Sequence, residues 1–333
     1  QFDLIVIADN CTDRTDEIAR DDGAKVYVRT NASERGKGYA LRWCFDQLLR
    51  LDPSYDAIVV IDADSTASKN FLSVMNNYLE NGAKAIQCSD MVEPQPGAWS
   101  SEVTRLGFTL YNHVRPLGRS VIACSAGVRG NGMCFAADTL RSVPWNSYSL
   151  NEDLEYGLIL LLNGITIEFA PDAKVFAMMP TNARNAESQR TRWERGRFPV
   201  IKRYGPRLLA QAFRDLSFRP FDAFVELVTP AFVNMFGLVF LLFGAHLVLP
   251  SFGVEELAQY RTAWSIAVLC GLFHVLGGLL AARADKLLYK AFLNIPRYAF
   301  WKLALYAKII RKRSPTEEWV RTTRDHVVST PNQ

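Results

Sequence analysis

The chain has no C-x-x-C pair: Cys11, Cys44, Cys88, Cys124, Cys134 and Cys270 stand far apart. That spacing argues against a zinc ribbon and a disulfide scaffold, and fits reduced thiols in the cytosol. Its histidines, His113, His246, His274 and His326, form no metal-ligand spacing. Charge of one sign is lacking too. Lys and Arg number 38 against 34 Asp and Glu over 333 residues, a net +4, which is too small to point to a nucleic-acid partner. There is no internal repeat, no low-complexity tract and no Walker spacing, so repeat architectures and a P-loop are excluded. What is abundant is apolar. With 49% hydrophobic and 12% aromatic residues the chain is not disordered, and its length suggests about two structural units.

The apolar residues are unevenly placed. Up to about Asp222 the pattern is that of a water-soluble α/β unit. Residues 223–249 then carry a single formal charge, Glu226, and residues 264–282 carry no Asp, Glu, Lys or Arg. A helix rises about 1.5 Å per residue and about 20 apolar residues cross the hydrocarbon layer, so each stretch is long enough to span. A pair of buried helices in a soluble core is the competing reading. Lys202, Arg203, Arg207, Arg214 and Arg219 precede the first stretch, and Arg283, Lys286, Lys290 and Arg311-Lys312-Arg313 follow the second. The connecting residues 250–262 hold one Arg and two Glu. The positive-inside rule therefore places both ends, and the soluble unit, in the cytosol. Residues 287–310 are apolar but interrupted by Lys290, Pro296, Arg297, Lys302 and Lys308. That pattern predicts a helix lying in the interface, with a third, broken span as the alternative. No signal peptide is visible, and the chain opens inside an apparent strand.

Short β-branched or aromatic runs predict strands at 3–8, 24–28, 57–61, 84–88, 132–136 and 165–169. Helical patterns lie between them at 14–21, 36–51, 68–80, 99–116 and 152–162. Strand-helix alternation predicts an α/β fold with a mostly parallel sheet, whose ligands bind beyond the carboxyl ends of the strands. Two of those ends carry acids: one strand runs into Asp9 and another into Asp62-Ala63-Asp64. Alone, such acids are as readily turn formers or helix caps. Converging on one edge they would repel one another unless a cation sat among them, and hard oxygens suit Mg²⁺ or Mn²⁺. Arg35-Gly36-Lys37-Gly38 opens a helical run and could approach an anion. Arg129-Gly130-Asn131-Gly132 precedes a strand. Asn151-Glu152-Asp153 opens a helix, where capping and proton acceptance compete as explanations. Farther on, Gln189, Arg192 and Trp193 share one helical face. A guanidinium fork matches diphosphate oxygens and an indole face suits a sugar, while an amphipathic helix meeting lipid phosphates is the plainer alternative.

Taken in order, Asp9, Lys37, Asp62-Ala63-Asp64, Gly130-Asn131-Gly132, Asn151-Glu152-Asp153 and Gln189-x-x-Arg192-Trp193, ahead of membrane spans, resemble the membrane-bound glycosyltransferase family 2. That group includes the cellulose, hyaluronan and poly-N-acetylglucosamine synthases and ceramide glucosyltransferase. The resemblance covers about residues 2–249. It implies a GT-A-type (Rossmann-like) α/β fold and inverting transfer from a nucleotide-diphosphate sugar, with UDP the expected carrier. By the same resemblance Asp9, Lys37, Asp62, Gln189 and Arg192 face the donor, Asp64 binds Mg²⁺ or Mn²⁺, and Asp153 is the general base. Gly130, Asn131, Gly132 and Trp193 lie toward the acceptor.

The expected layout is a cytosolic catalytic domain over 1–185 lacking its first strand, interfacial helices over 186–222, and spans at 223–249 and 264–282. An interfacial helix and tail over 287–333 complete it. The setting is an integral membrane protein, by expectation of a bacterial inner membrane, with membrane lipids as partners. The acceptor is a growing polysaccharide. The alternatives are one sugar transferred to a lipid acceptor, or a catalytically silent nucleotide-sugar-binding protein.

Overall fold

A computed structural model describes residues 1–51, 55–94, 99–178, 183–230, 232–252 and 259–298, with side chains described outside 183–195 and 233–234. The first half runs β1 (Ile5–Asp9), α1 (Thr15–Asp21), β2 (Lys25–Arg29), α2 (Lys37–Leu48), β3 (Ala57–Val60), β4 (Ser65–Ala67), α3 (Phe71–Glu80) and β5 (Ala85–Val92). There follow α4 (Trp99–Phe108), a π-helical stretch (Thr109–Val114), α5 (Arg115–Val121), β6 (Met133–Ala136), α6 (Ala137–Ser142), α7 (Glu152–Leu162) and β7 (Ile167–Ala177). The chain then becomes helical, through α8 (Ala183–Arg214), α9 (Phe218–Val228), α10 (Phe232–Val248), a 3₁₀ turn, α11 (Arg261–Ala281) and α12 (Lys286–Phe292).

Each expected strand forms, and β4 is an addition. The mostly parallel sheet does not form. β1 and β2 pair in parallel, and a second sheet has the order β3-β6-β5-β7-β4. Within it only β5 and β7 are parallel, while β3–β6, β5–β6 and β4–β7 are antiparallel. A parallel neighbour needs a crossover that carries the chain back to the starting edge. Here the long helical excursion from α4 to α5 returns it to the edge it left, so β6 runs against both strands it joins. One consequence matters for the site. The end of β3, the last part of β5 and the start of β6 all open on one edge.

Both faces of the larger sheet are covered. On one, Leu41 and Phe45 of α2 and Tyr156 and Leu160 of α7 pack with Val60, Phe135 and Ile167. Trp145 closes this layer, with ring centroids 4.3 Å from Tyr156, 5.8 Å from Phe45 and 6.0 Å from Phe135. On the other face Phe71 and Met75 of α3 meet Ile86, Cys134 and Val175. Each such side chain contributes about 1.5–3 kcal/mol on burial. Together they hold the strand tips in a fixed relation.

The expected span at 223–249 is broken. α9 ends at Val228, Thr229 is extended (ψ 122°) and Pro230 follows, because a residue before proline is pushed out of the helical region. The first part, α9, docks on the α/β unit instead: Ala223 and Leu227 pack with Leu158, Val200, Tyr204 and Leu208. Glu226 is buried among arginines, at 2.7 Å from Arg129 and 3.8 Å from Arg115, and it also pairs with Arg119. The helices long and apolar enough to cross a membrane, among the described residues, are Met235–Phe252 and Arg261–Ala281. Only 17% and 22% of these stretches is buried, so most of their apolar surface is left uncovered by the rest of the chain. One side of the pair packs on the α/β unit, where Phe236, Val275 and Leu279 meet Val103, Leu106 and Leu110. Of residues 287–333, those beyond 298 lie outside the described residues.

Candidate active site

At the common edge the Lys37 ammonium, on the first turn of α2, lies 2.5 Å from Asp62 Oδ1 and 2.5 Å from the Gly130 carbonyl oxygen. Burial would lower the Lys37 pKa, but Asp62, Glu152 and Asp153 outweigh it, and the group is held above its ordinary value. Asp153 sits in the first turn of α7, over Gly130: a Cβ built on Gly130 would stand 2.9 Å from Asp153 Oδ2. Gly130 has φ +83°, a conformation that a side chain strains. The loop before β6 and the start of α7 are thus fitted to each other by the missing side chain. The Asp153 pKa is raised, first by burial, against the lowering pull of backbone N–H groups, of Lys37 and of Arg129.

The segment that carries Asp153 is fixed from below. Its loop packs on α2 so closely that a Cβ on Gly38 would strike the Ser147 carbonyl. Tyr148 stacks on Tyr39 with centroids 4.5 Å apart, and Arg42 donates to Asn146 at 3.0 Å. Asn151 makes no side-chain cap of α7, so capping does not account for it. Instead it meets α8: a Cβ on Gly196 would lie 2.9 Å from Asn151 Oδ1 and from Leu150 Cβ. α8 therefore passes the start of α7 at Gly196, one turn after Trp193. The backbone of Gln189, Arg192 and Trp193 is helical, as expected, and their side chains lie outside the described residues. Arg197 then donates to the carbonyls of Glu226 and Leu227, at 2.5 and 2.9 Å, and ties α8 to the end of α9.

The Asp62-Ala63-Asp64 turn links β3 to β4 and closes through the Ser65 N–H to the Asp62 carbonyl at 3.0 Å. Asn131, expected toward the acceptor, has its side chain turned inward and is 3% exposed. It accepts from the Asp62 N–H at 3.0 Å and donates to Ser65 Oγ at 2.9 Å. Asp9 ends β1 on the smaller sheet and pairs with the buried Arg29 at 2.7 Å. Gly132 has φ +67°, and a Cβ there would strike Cys88 Sγ.

A further acid, Asp90 of β5, lies beneath the cluster at 6% exposure. It receives Nδ2 of Asn112 at 3.1 Å and Nδ2 of Asn131 at 3.3 Å. Burial, and then the Asp62 carboxylate, push its pKa up to about 8. The sequence pattern ends this strand at residue 88, whereas β5 continues to Val92 and so carries Asp90.

Residues 1–196 match the family model described as glycosyltransferase like family 2. The chain belongs to this family. It is a glycosyltransferase that uses a nucleotide sugar, on a GT-A-type α/β fold. No curated protein matches it. Among solved structures it is similar to the mannosyltransferase PcManGT from Pyrobaculum calidifontis in complex with GDP-Man and Mn²⁺, at 15% identity and a TM-score of 0.47. That alignment covers 94% of this chain and 79% of the other.

For a family 2 glycosyltransferase the donor set suits a divalent ion. Asp62 and Asp153 both raise the Asp90 pKa through space while the Lys37 ammonium lowers it, so the carboxylates at this edge repel one another, as acids that share a cation do. No group of three or more His, Cys, Asp or Glu able to enclose a metal exists among the described residues. An ion there would be held by a single carboxylate and completed by diphosphate oxygens, which is how Mg²⁺ is usually bound.

Proposed function

We propose that this enzyme moves a hexose from a UDP-sugar, with inversion, onto a growing polysaccharide at the cytosolic face of a membrane. The observation that carries the reading is the meeting of Lys37, Asp62 and Asp153 around the Gly130 peptide. It supplies a cation for a diphosphate beside a carboxylate for a hydroxyl.

In this scheme Asp153 takes the proton of the acceptor hydroxyl as its oxygen attacks the anomeric carbon, and its raised pKa brings it nearer the working pH. The nucleoside diphosphate departs from the opposite face of the ring, as inversion by a single displacement requires. Lys37 and Arg192 offset the negative charge that builds on it. Asp62 and Asp9 hold the nucleotide sugar, and Gln189 and Trp193 close over diphosphate and acceptor. Gly130 and Gly132 lie toward the acceptor side, where the lack of side chains lets the loop pack directly against Asp153 and Cys88. Asp64 would hold a Mg²⁺ or Mn²⁺ ion, whose chemistry is to neutralise the leaving diphosphate. Basic residues flanking the two apolar helices support a cytosolic catalytic unit, with membrane lipids around α10 and α11.

The test is a panel of nucleotide sugars offered to the full-length protein in membranes, scored for nucleoside diphosphate release and product size. A UDP-sugar yielding a ladder of oligomers is expected. A single added sugar on lipid, or no release from any donor, contradicts the proposal.

A further inference from the structure

The Asn131 amide spans the Asp62–Ser65 turn from one end to the other. Its Oδ1 accepts from the Asp62 backbone N–H at 3.0 Å, and its Nδ2 donates to Ser65 Oγ at 2.9 Å. These groups flank Asp64. The same Nδ2 also points at Asp90 Oδ1, 3.3 Å away, while Asp90 Oδ2 accepts from Asn112 Nδ2 at 3.1 Å. An asparagine amide can be turned end for end, and only its partners decide the orientation. Asp90, which presents oxygen toward Asn131, selects the one in which Oδ1 meets the Asp62 N–H.

The loop is held from the other side by Gln87. Its Nε2 donates to the Asn131 carbonyl at 2.7 Å and its Oε1 accepts from the Arg129 N–H at 2.9 Å. Gln87, Asp90 and Asn131 are all under 7% exposed. In such surroundings an amide fully engaged with protein groups has nothing left for a substrate. The glycines on either side, at φ +83° and +67°, let the backbone turn this side chain inward.

We propose that Asn131 is a positioning residue for the Asp62–Asp64 turn, oriented by Asp90, and that the pair sets how this turn meets the nucleoside diphosphate and its divalent ion. The inference rests on the proposed donor and metal reading and deepens it. It assigns Asn131 to the donor side, acting through the turn, instead of to the acceptor.

The geometry makes a specific rescue possible. In the double variant Asn131→Asp/Asp90→Asn, the carboxylate at 131 accepts from the Asp62 N–H and from the Ser65 hydroxyl, and the amide at 90 donates to it. Each bond is rebuilt and the formal charge is unchanged. Asn131→Ala removes the bonds, also without a charge change.

The experiment is a titration of Mn²⁺ into the full chain in lipid nanodiscs with saturating UDP, and separately GDP, reading free Mn²⁺ by electron paramagnetic resonance. Thermal melts run in parallel. Asn131→Ala is expected to raise the apparent Kd for Mn²⁺ by about tenfold or more, and the swapped pair to return within about threefold of the parent. An Asn131→Ala protein with unchanged Mn²⁺ affinity and a raised acceptor KM overturns the inference. So does a swapped pair that fails to recover, whether folded or not, and this keeps the test decisive if Asn131→Ala does not fold. If the parent protein binds no Mn²⁺ with either nucleotide, the donor and metal reading falls and the inference falls with it.

Discussion

Lys37 and Asp62 meet across the edge of the sheet with Nζ 2.5 Å from Oδ1, although they come from a helix start and a strand end 25 positions apart. The same ammonium holds the Gly130 carbonyl. One side chain thus ties together the acid turn and the loop on which Asp153 rests.

Replacing Lys37 by alanine removes a charge-assisted bond worth about 1.5–3 kcal/mol. Donor binding should weaken by about 10–100-fold, measured by calorimetry with the nucleoside diphosphate. Because the Lys37 pKa is raised, the parent's donor affinity should not fall between pH 7 and 9 through loss of this charge. Affinity unchanged in Lys37→Ala would remove Lys37 from the donor site.

Gly130→Ala should fold and fail in chemistry. The added Cβ meets Asp153 Oδ2 at 2.9 Å and the backbone is in the left-handed region. Displacing the base by a fraction of an ångström should lower kcat by about 10²-fold, with donor Kd little changed. A variant of normal kcat would show that the contact between this loop and α7 does not govern catalysis.

Asp90 predicts a stability profile. With its folded pKa raised to about 8 from 3.8, the folded state retains a proton that the unfolded chain releases. A destabilising contribution is therefore absent below about pH 4, grows as pH rises through that window and is complete above about pH 8. In EDTA, the parent should lose melting temperature relative to Asp90→Asn as pH rises from 5 to 8. Parallel curves would contradict this.

Glu226→Ala should be strongly destabilising. It would leave the nearly buried Arg119 and Arg129 without that carboxylate, and breaking such a buried set costs about 3–5 kcal/mol. Chemical denaturation in detergent measures it. A change near zero would mean that α9 is not docked on the catalytic unit as described.

Much of this fold was legible because its elements are local. The start of α7 at Glu152 followed from an Asn before two acids, and each strand from a short β-branched run. What escaped was non-local. β4 is only Ser65–Ala67 and forms because β7 is long enough to reach it. The direction of β6 depends on where α4 and α5 return the chain, which no periodicity records. Pro230 did carry a signal for the break after Val228, since the preceding residue avoids helix, but the apolar composition on both sides concealed it. Glu226 looked like a stray charge in a span because its arginine partners are distant in sequence. Asp90 could have been found by asking why an acid follows a continuous buried strand, where an unpaired charge is costly. The Asp62, Gly130 and Asp153 segments were each visible, whereas their contact through Lys37 is a property of the folded edge. For Asn131 the motif indicated importance and not direction, since only packing against Gln87 and Asp90 turns it inward.

The central claim is that Asp153 is the base of a transfer from a nucleotide sugar. The most direct measurement compares nucleoside diphosphate release by the full-length protein and by Asp153→Asn, in membranes with Mn²⁺ and the donor selected from the panel, alongside donor binding. The account predicts a loss of about 10²–10⁴-fold in turnover with donor affinity largely kept. Near-normal turnover in Asp153→Asn would contradict it.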